Sequence, residues 1–261
     1  MQQGGMNLQM MAPFTPVVKK LLIANVFIWL VIQLIIEGQF LGPGSPFTLF
    51  FSLVPARVVE DFYIWQPFTY MFLHSNSVFH IALNMLALWW FGGELEQRWG
   101  SKFFALYYFV CGFGAGIIYI IGVIIALLIN DSAPMVWVEP VIGASGAVFG
   151  ILLAFGIVFG ERVIYLFMTI PMKAKYFVMV IGVIEFASML NSGLGGSRVA
   201  NLAHLGGLVT GLAFLIFWTR HKNKGLRKKS RRSGRNLKLV VNNDNKVKIE
   251  DDDDDGPRYW N

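Results

Sequence analysis

Six stretches of this chain, at about residues 21–36, 78–93, 103–128, 141–160, 176–190 and 199–219, are apolar and hold a single charged residue between them, Glu185. A hydrocarbon core of roughly 30 Å takes about 20 helical residues to cross. Inside it only elements that satisfy their own backbone hydrogen bonds can span. The stretches therefore predict an all-α polytopic membrane protein with six transmembrane helices. The second and fifth are short, so their ends have to borrow flanking polar positions. Hydrophobic residues make up 55% of the chain and charged ones 15%, a balance outside the soluble globular range.

The segments between the spans divide the chain into a short cytoplasmic N-terminal segment (1–20), a six-span domain (21–219) and a charged cytoplasmic tail (220–261). Glu37-Gly38-Gln39-Phe40 offers no small-residue cleavage pattern after the first span, so that span is expected to be retained and not removed as a signal. Residues 37–77 are aromatic and Pro-rich and too broken to cross, which suits a loop half sunk at headgroup depth and shielding a site beside it. Pro171 with Lys173 and Lys175 separates spans four and five, and the glycine-rich turn at 191–197 is a candidate moving part. In the tail, Lys222 to Arg235 carries eight basic residues among fourteen and five aspartates follow at 251–255. That composition has too little apolar surface to fold and is expected to be disordered.

Charge and cysteine content narrow the partners. The formal charge of +6 gathers in the tail beside a hydrophobic segment, which suits a lipid bilayer with anionic headgroups, not nucleic acid. The single cysteine, Cys111, can build neither an intramolecular disulfide nor a cysteine metal site, and no metal or cofactor is expected. With both termini inside, inner segments hold Lys19, Lys20, Arg98, Lys102, Arg162, Lys173, Lys175 and 13 more basic residues from Arg220 onward, against Arg57 and Arg198 outside. That asymmetry predicts cytoplasmic termini.

Ser145, held between small residues in Gly143-Ala144-Ser145-Gly146, starts span four at its outer end. Such a serine either lets two membrane helices approach closely, bonded to its own helix, or acts as a nucleophile if a base and oxyanion donors reach the same depth. His80 and Asn84, at i and i+4, lie on one face of the outer part of span two. His204 is about five residues into span six, roughly 7 to 8 Å from its outer end. A membrane histidine can equally be a hydrogen-bonded structural residue, yet ionisable groups at this depth point to function. Gly146, Gly150 and Ala154 on span four, and Ala203, Gly207 and Gly211 on span six, recur every four positions and predict a close helix contact. Glu94, Glu96 and Arg98 read as a structural ion cluster at the inner end of span two.

GASG around Ser145, Ala203-His204-Leu205-Gly206-Gly207 and His80-Ile81-Ala82-Leu83-Asn84 together resemble motifs of the rhomboid family of intramembrane serine proteases. The series Gly92, Glu96, Gly100, Phe104 adds a fourth family pattern. The resemblance implies a Ser-His dyad without an acid, Ser145 as nucleophile and His204 as base. Span six itself carries no Asp or Glu near His204. It further implies an oxyanion hole from the Ser145 N–H with His80 and Asn84, Gly143 on the substrate side, and Phe149 against the histidine ring. The implied substrates are transmembrane proteins, and the implied setting is a bacterial inner membrane. A catalytically silent rhomboid-like scaffold or transporter that binds membrane helices is the alternative. Glu185, costly in an outer half-span, carries no assigned role.

Overall fold

The computed structural model describes residues 13–42, 45–129, 134–166, 169–191 and 196–232, without the side chains of 134, 166, 191, 196–200 and 223–232. Two compact units divide the chain, Met1–Phe217 and Trp218–Asn261. In the first, α1 (Pro16–Phe27) continues as a wider π-helix to Leu41, and the Gly42 N–H closes that helix on the Glu37 carbonyl, five residues back, at 2.8 Å. Short helices α2 (Pro46–Phe51), α3 (Pro55–Val59) and α4 (Gln66–Thr69) fill the connection that follows. Then α5 (Val78–Ala87), a π-helical turn (Leu88–Gly92) and α6 (Gly93–Trp99) run on as one rod. After them come α7 (Ser101–Ile129), α8 (Pro134–Val138), α9 (Ser145–Val158), α10 (Ala174–Asn191) and α11 (Gly196–Arg232).

Each of the six expected stretches carries a helix, and the architecture is an all-α membrane bundle. Among the described residues four helices are long and apolar enough to cross a membrane: Pro16–Leu41, Val78–Trp99, Ser101–Ile129 and Asn201–Lys222. The apolar α9 is shorter. Span two reaches its length by taking in the polar Glu94, Glu96 and Arg98.

Three local differences from the sequence expectation stand out. Helix α9 starts at Ser145, not near 141, because Val141 is extended and exchanges backbone hydrogen bonds with Leu53, both at 2.9 Å. Gly143 then bends the chain at φ +131°, a conformation only glycine adopts without strain. After α9 the chain forms an antiparallel hairpin, β1 (Val163–Leu166) with β2 (Ile170–Lys173), where the sequence suggested only a break at Pro171. The glycine-rich turn falls largely on residues 192–195, outside the described residues. The basic tail continues helically past residue 220 to Arg232, since Lys and Arg are good helix formers and an existing helix propagates without a new nucleus. Residues 233–261 lie outside the described residues.

Lipid tails give helices no hydrophobic reason to associate, so close packing and internal hydrogen bonds hold the bundle. Tyr70, Tyr107, Tyr108 and Phe104 are fully buried around α7. Buried hydroxyls need partners: Tyr70 donates to the Gly112 carbonyl at 2.7 Å and Tyr107 to the Gly150 carbonyl at 2.8 Å. These bonds tie the α4 segment and α9 to α7. In the α2–α4 connection the rings of Tyr63 and Trp65 stack at 4.6 Å, while Phe62 and Ile64 are exposed, as an interfacial loop requires.

Candidate active site

Ser145 is the first residue of α9, and the start of a helix leaves four N–H groups without intrahelical partners. The dipole of α9 therefore points its positive end, and those N–H groups, at the space beside Ser145. The approach to this point is fixed by the Leu53 bridge and by the Gly143 N–H, which donates to the Tyr70 carbonyl at 3.0 Å. A side chain at Gly143 would put a Cβ 3.0 Å from His80 Nε2 and 3.6 Å from Ser145 Oγ. The space over Gly143 is thus bounded by an imidazole nitrogen and a hydroxyl.

His80 stands in the first turn of α5, and a residue without a motif decides its tautomer. The Ser75 backbone N–H donates to His80 Nδ1 at 3.3 Å, with Ser75 Oγ 3.0 Å from the same nitrogen. A backbone N–H can only donate, so Nδ1 accepts and the neutral ring carries its proton on Nε2. That N–H faces Gly143. One helical turn on, Asn84 spends one Nδ2 hydrogen on the His80 carbonyl at 2.8 Å and retains a second.

On α11, His204 is held on two sides. The Phe149 ring, one turn after Ser145 on α9, lies flat on the imidazole with centroids 4.3 Å apart and planes at 10°. Glu185 Oε2 of α10 is 3.0 Å from His204 Nδ1. The expected absence of an acid beside His204 therefore does not hold. The carboxylate comes from span five, and pairing is the least costly answer to an ionisable group at this depth.

The small-residue faces bring these helices together. A side chain at Gly207 would run into the Gly146 carbonyl, one at Gly150 would lie 3.3 Å from the Gly207 carbonyl, and one at Gly146 would be 2.7 Å from Ala115 Cβ. Backbones of α9 and α11 therefore touch next to both Ser145 and His204, with α7 behind.

Beside the site lies a cavity of about 300 Å³ lined by Gln33, Glu37, Thr48, His74, Ser75 and Ile142. Its lining includes Ser75, which donates to His80 Nδ1, and Ile142, on the stretch that leads into α9. Glu37 accepts hydrogen bonds from Ser45, from the Thr48 N–H at 3.0 Å and from the Thr48 hydroxyl at 2.6 Å. Gln33 clasps the His74 backbone, donating to its carbonyl at 2.7 Å and accepting from its N–H at 2.8 Å. His74 itself is fully buried, and neither ring nitrogen makes a well-formed hydrogen bond, the Phe72 backbone offering only a weak one. Burial first, and the nearby His80 second, push its imidazole down to about 3. Ser75, His74 and Glu185 escaped sequence reasoning. Only Glu185, as an uncompensated charge in a span, left a signal.

At the opposite end of the α5–α6 rod, Glu96 and Glu94 do not form the expected cluster with Arg98. Glu96 caps the start of α1 and Glu94 pairs with Arg162.

A helical membrane bundle with a serine at a helix start, a stacked and paired histidine, and small-residue seams defines an integral membrane protein of the polytopic helical class. The Rhomboid domain family matches residues 61–221, and the chain belongs to the rhomboid family. It is similar to RHOMBOID-like protein 1 of Arabidopsis thaliana, 34% identical over 178 residues, which is 67% of this chain and 40% of that protein. It is also similar to the rhomboid protease GlpG of Serratia proteamaculans (strain 568), 28% identical over 61% of this chain and 50% of the relative. Rhomboid protein 1, mitochondrial, of Saccharomyces cerevisiae is 30% identical over 61% of this chain and 44% of its own length. The chain spans about half the length of the curated relatives it matches. Relatives named as proteases place it in a family of proteases.

Proposed function

We propose that the chain is an intramembrane serine protease that hydrolyses peptide bonds in or next to the transmembrane helices of substrate proteins. Ser145 Oγ attacks the scissile carbonyl carbon while His204 Nε2 takes its proton. The tetrahedral intermediate collapses to an acyl-enzyme as His204 passes that proton to the leaving amine. A water then loses a proton to the same imidazole and attacks the ester, and Ser145 leaves with its proton restored. The carbonyl oxygen becomes negative at each attack. Its donors are the Ser145 N–H at the start of α9, His80 Nε2–H and the second Nδ2 hydrogen of Asn84, and the bare Cα of Gly143 leaves room for it. The polar cavity at Gln33 and His74 can supply the water. Both termini lie in the cytoplasm and the site opens to the opposite side, in keeping with the Lys and Arg asymmetry.

The observation that carries this reading is the Phe149–His204 stack, at 4.3 Å, across a backbone-to-backbone helix contact, because it ties the histidine to the helix that Ser145 begins. The test is a set of variants compared in proteoliposomes for cleavage of a transmembrane peptide, for labelling by a serine-directed fluorophosphonate and for melting temperature. Ser145→Ala and His204→Ala fall to background, and the double variant is scarcely worse than either, since the two groups act as a unit. His80→Ala and Asn84→Ala lose about 10² to 10³ in rate, the usual worth of one oxyanion donor, while keeping their melting transitions. Cleavage by Ser145→Ala overturns the mechanism. A wild-type chain that neither labels nor cleaves is the helix-binding scaffold instead.

A further inference from the structure

Glu185 is a carboxylate in the apolar helix α10, and its neighbours along the chain, Ile184 and Phe186, are exposed on the helix surface. Its own side chain turns inward, 17% exposed, to meet His204, also 17% exposed. An ionised carboxylate has no hydrogen to give, so with Glu185 ionised the 3.0 Å contact with Nδ1 is a bond from Nδ1–H to Glu185. The proton of neutral His204 then sits on Nδ1, and the lone pair is left on Nε2. Phe149 fixes the plane of the ring at 10° to its own, and Glu185 fixes which edge of that plane faces α10. Together a face contact and an edge contact remove both rotations of the imidazole.

We propose that Glu185 is a positioning residue for the proteolytic reaction, acting through His204: it holds the Nδ1–H tautomer, presents Nε2 to Ser145, and balances the imidazolium formed when the serine proton is taken. This rests on the reading of Ser145 and His204 given above. The three groups come from α9, α10 and α11, so the constellation is a serine, a histidine and an acid assembled across three helices. A histidine with nothing at Nδ1 would divide its proton between the two nitrogens, and the fraction with Nε2 protonated could not act as base. The acid of a serine-protease triad performs the same service without itself being protonated.

The test uses the full chain with Glu185→Leu, an apolar replacement that suits a lipid-facing helix, and Glu185→Gln, which keeps shape and acceptor but not charge. Cleavage of a quenched-fluorescent transmembrane peptide gives kcat and KM, and ¹⁵N spectra of histidine-labelled protein report the tautomer of His204 among only 4 histidines. Glu185→Leu lowers kcat ~10- to 100-fold, the usual effect of removing a group that orients a functional histidine, with KM little changed. Fluorophosphonate labelling slows in parallel, and the His204 signal moves to mixed tautomers. Glu185→Gln falls between Leu and wild type. Wild-type kcat and an unchanged tautomer in Glu185→Leu overturn the proposal. Should the Leu variant not fold, wild-type kcat in Glu185→Gln overturns it as well. If Ser145→Ala or His204→Ala still cleaves, the underlying mechanism fails instead, so the two failures are told apart.

Discussion

His74 and His80 lie six positions apart with ring centroids 5.2 Å from each other, yet only one of them is provided for. His80 has the Ser75 N–H on Nδ1 and open space at Nε2. His74 is enclosed with both nitrogens poorly served, and burial holds its imidazole at about 3 against an ordinary 6.5. The sign of the consequence is fixed. Below pH 6.5 the unfolded chain binds a proton that the folded one refuses until about pH 3, so stability is full above 6.5 and falls as the pH drops through that window. The slope reaches roughly 1.4 kcal/mol per pH unit. In detergent, the wild-type melting temperature therefore drops between pH 7 and pH 5 by more than that of His74→Phe, which has nothing to protonate. Equal drops would refute a neutral buried His74.

At the scale of elements, the Glu96 carboxylate joins the α5–α6 rod to the start of α1. It accepts from the Val17 and Val18 N–H groups, both at 2.9 Å, from the Ser101 hydroxyl at 2.6 Å and from Thr15. An acid at a helix N-terminus also meets the positive end of the dipole. Glu96→Ala leaves those donors buried without an acceptor. Charge-assisted bonds are worth about 1.5–3 kcal/mol each, so the loss is on the order of 3 kcal/mol or more and Tm falls by roughly 6–12 °C. Glu96→Gln keeps one acceptor and falls less. A melting curve unchanged in Glu96→Ala would remove this joint from the fold. The Gly92, Glu96, Gly100, Phe104 pattern is visible in the sequence, but its mechanics are not, because the Thr15 and Val17 donors lie about 80 residues away. The same distinction runs through the site. The helix positions of Ser145, His80, Asn84 and His204 are legible because helix rise turns sequence spacing into position along a span. The Glu185–His204 pair is not, since it depends on how α10 is turned about its axis, which is set by contacts such as Val178 against Gly156. Ser75 and the extended Val141 are hidden for a related reason: their partners, His80 and Leu53, are chosen by tertiary approach and leave no periodicity behind.

For the whole molecule, the length of α9 sets the depth at which the proposed chemistry would take place. Its 14 residues rise roughly 21 Å, while the hydrocarbon core is roughly 30 Å thick. With its far end near one membrane surface, Ser145 lies roughly 9 Å short of the other, below the headgroups. At that depth a substrate helix keeps every carbonyl bonded to its own backbone, and a bonded carbonyl can neither be attacked nor enter the space over Gly143. Local unwinding must come first, and Gly or Pro near the scissile bond lowers its cost by about 1 and 3 kcal/mol relative to Ala. Matched peptides in proteoliposomes, one with a continuous Leu-rich span and others with Gly or Pro at the same depth, should therefore differ in kcat/KM by roughly 5-fold for Gly and by up to about 100-fold for Pro. Moving the break to the far leaflet should abolish the advantage, because Ser145 lies near one surface only. Equal cleavage of the continuous span, or no dependence on the depth of the break, would show that the substrate is not unwound at this site.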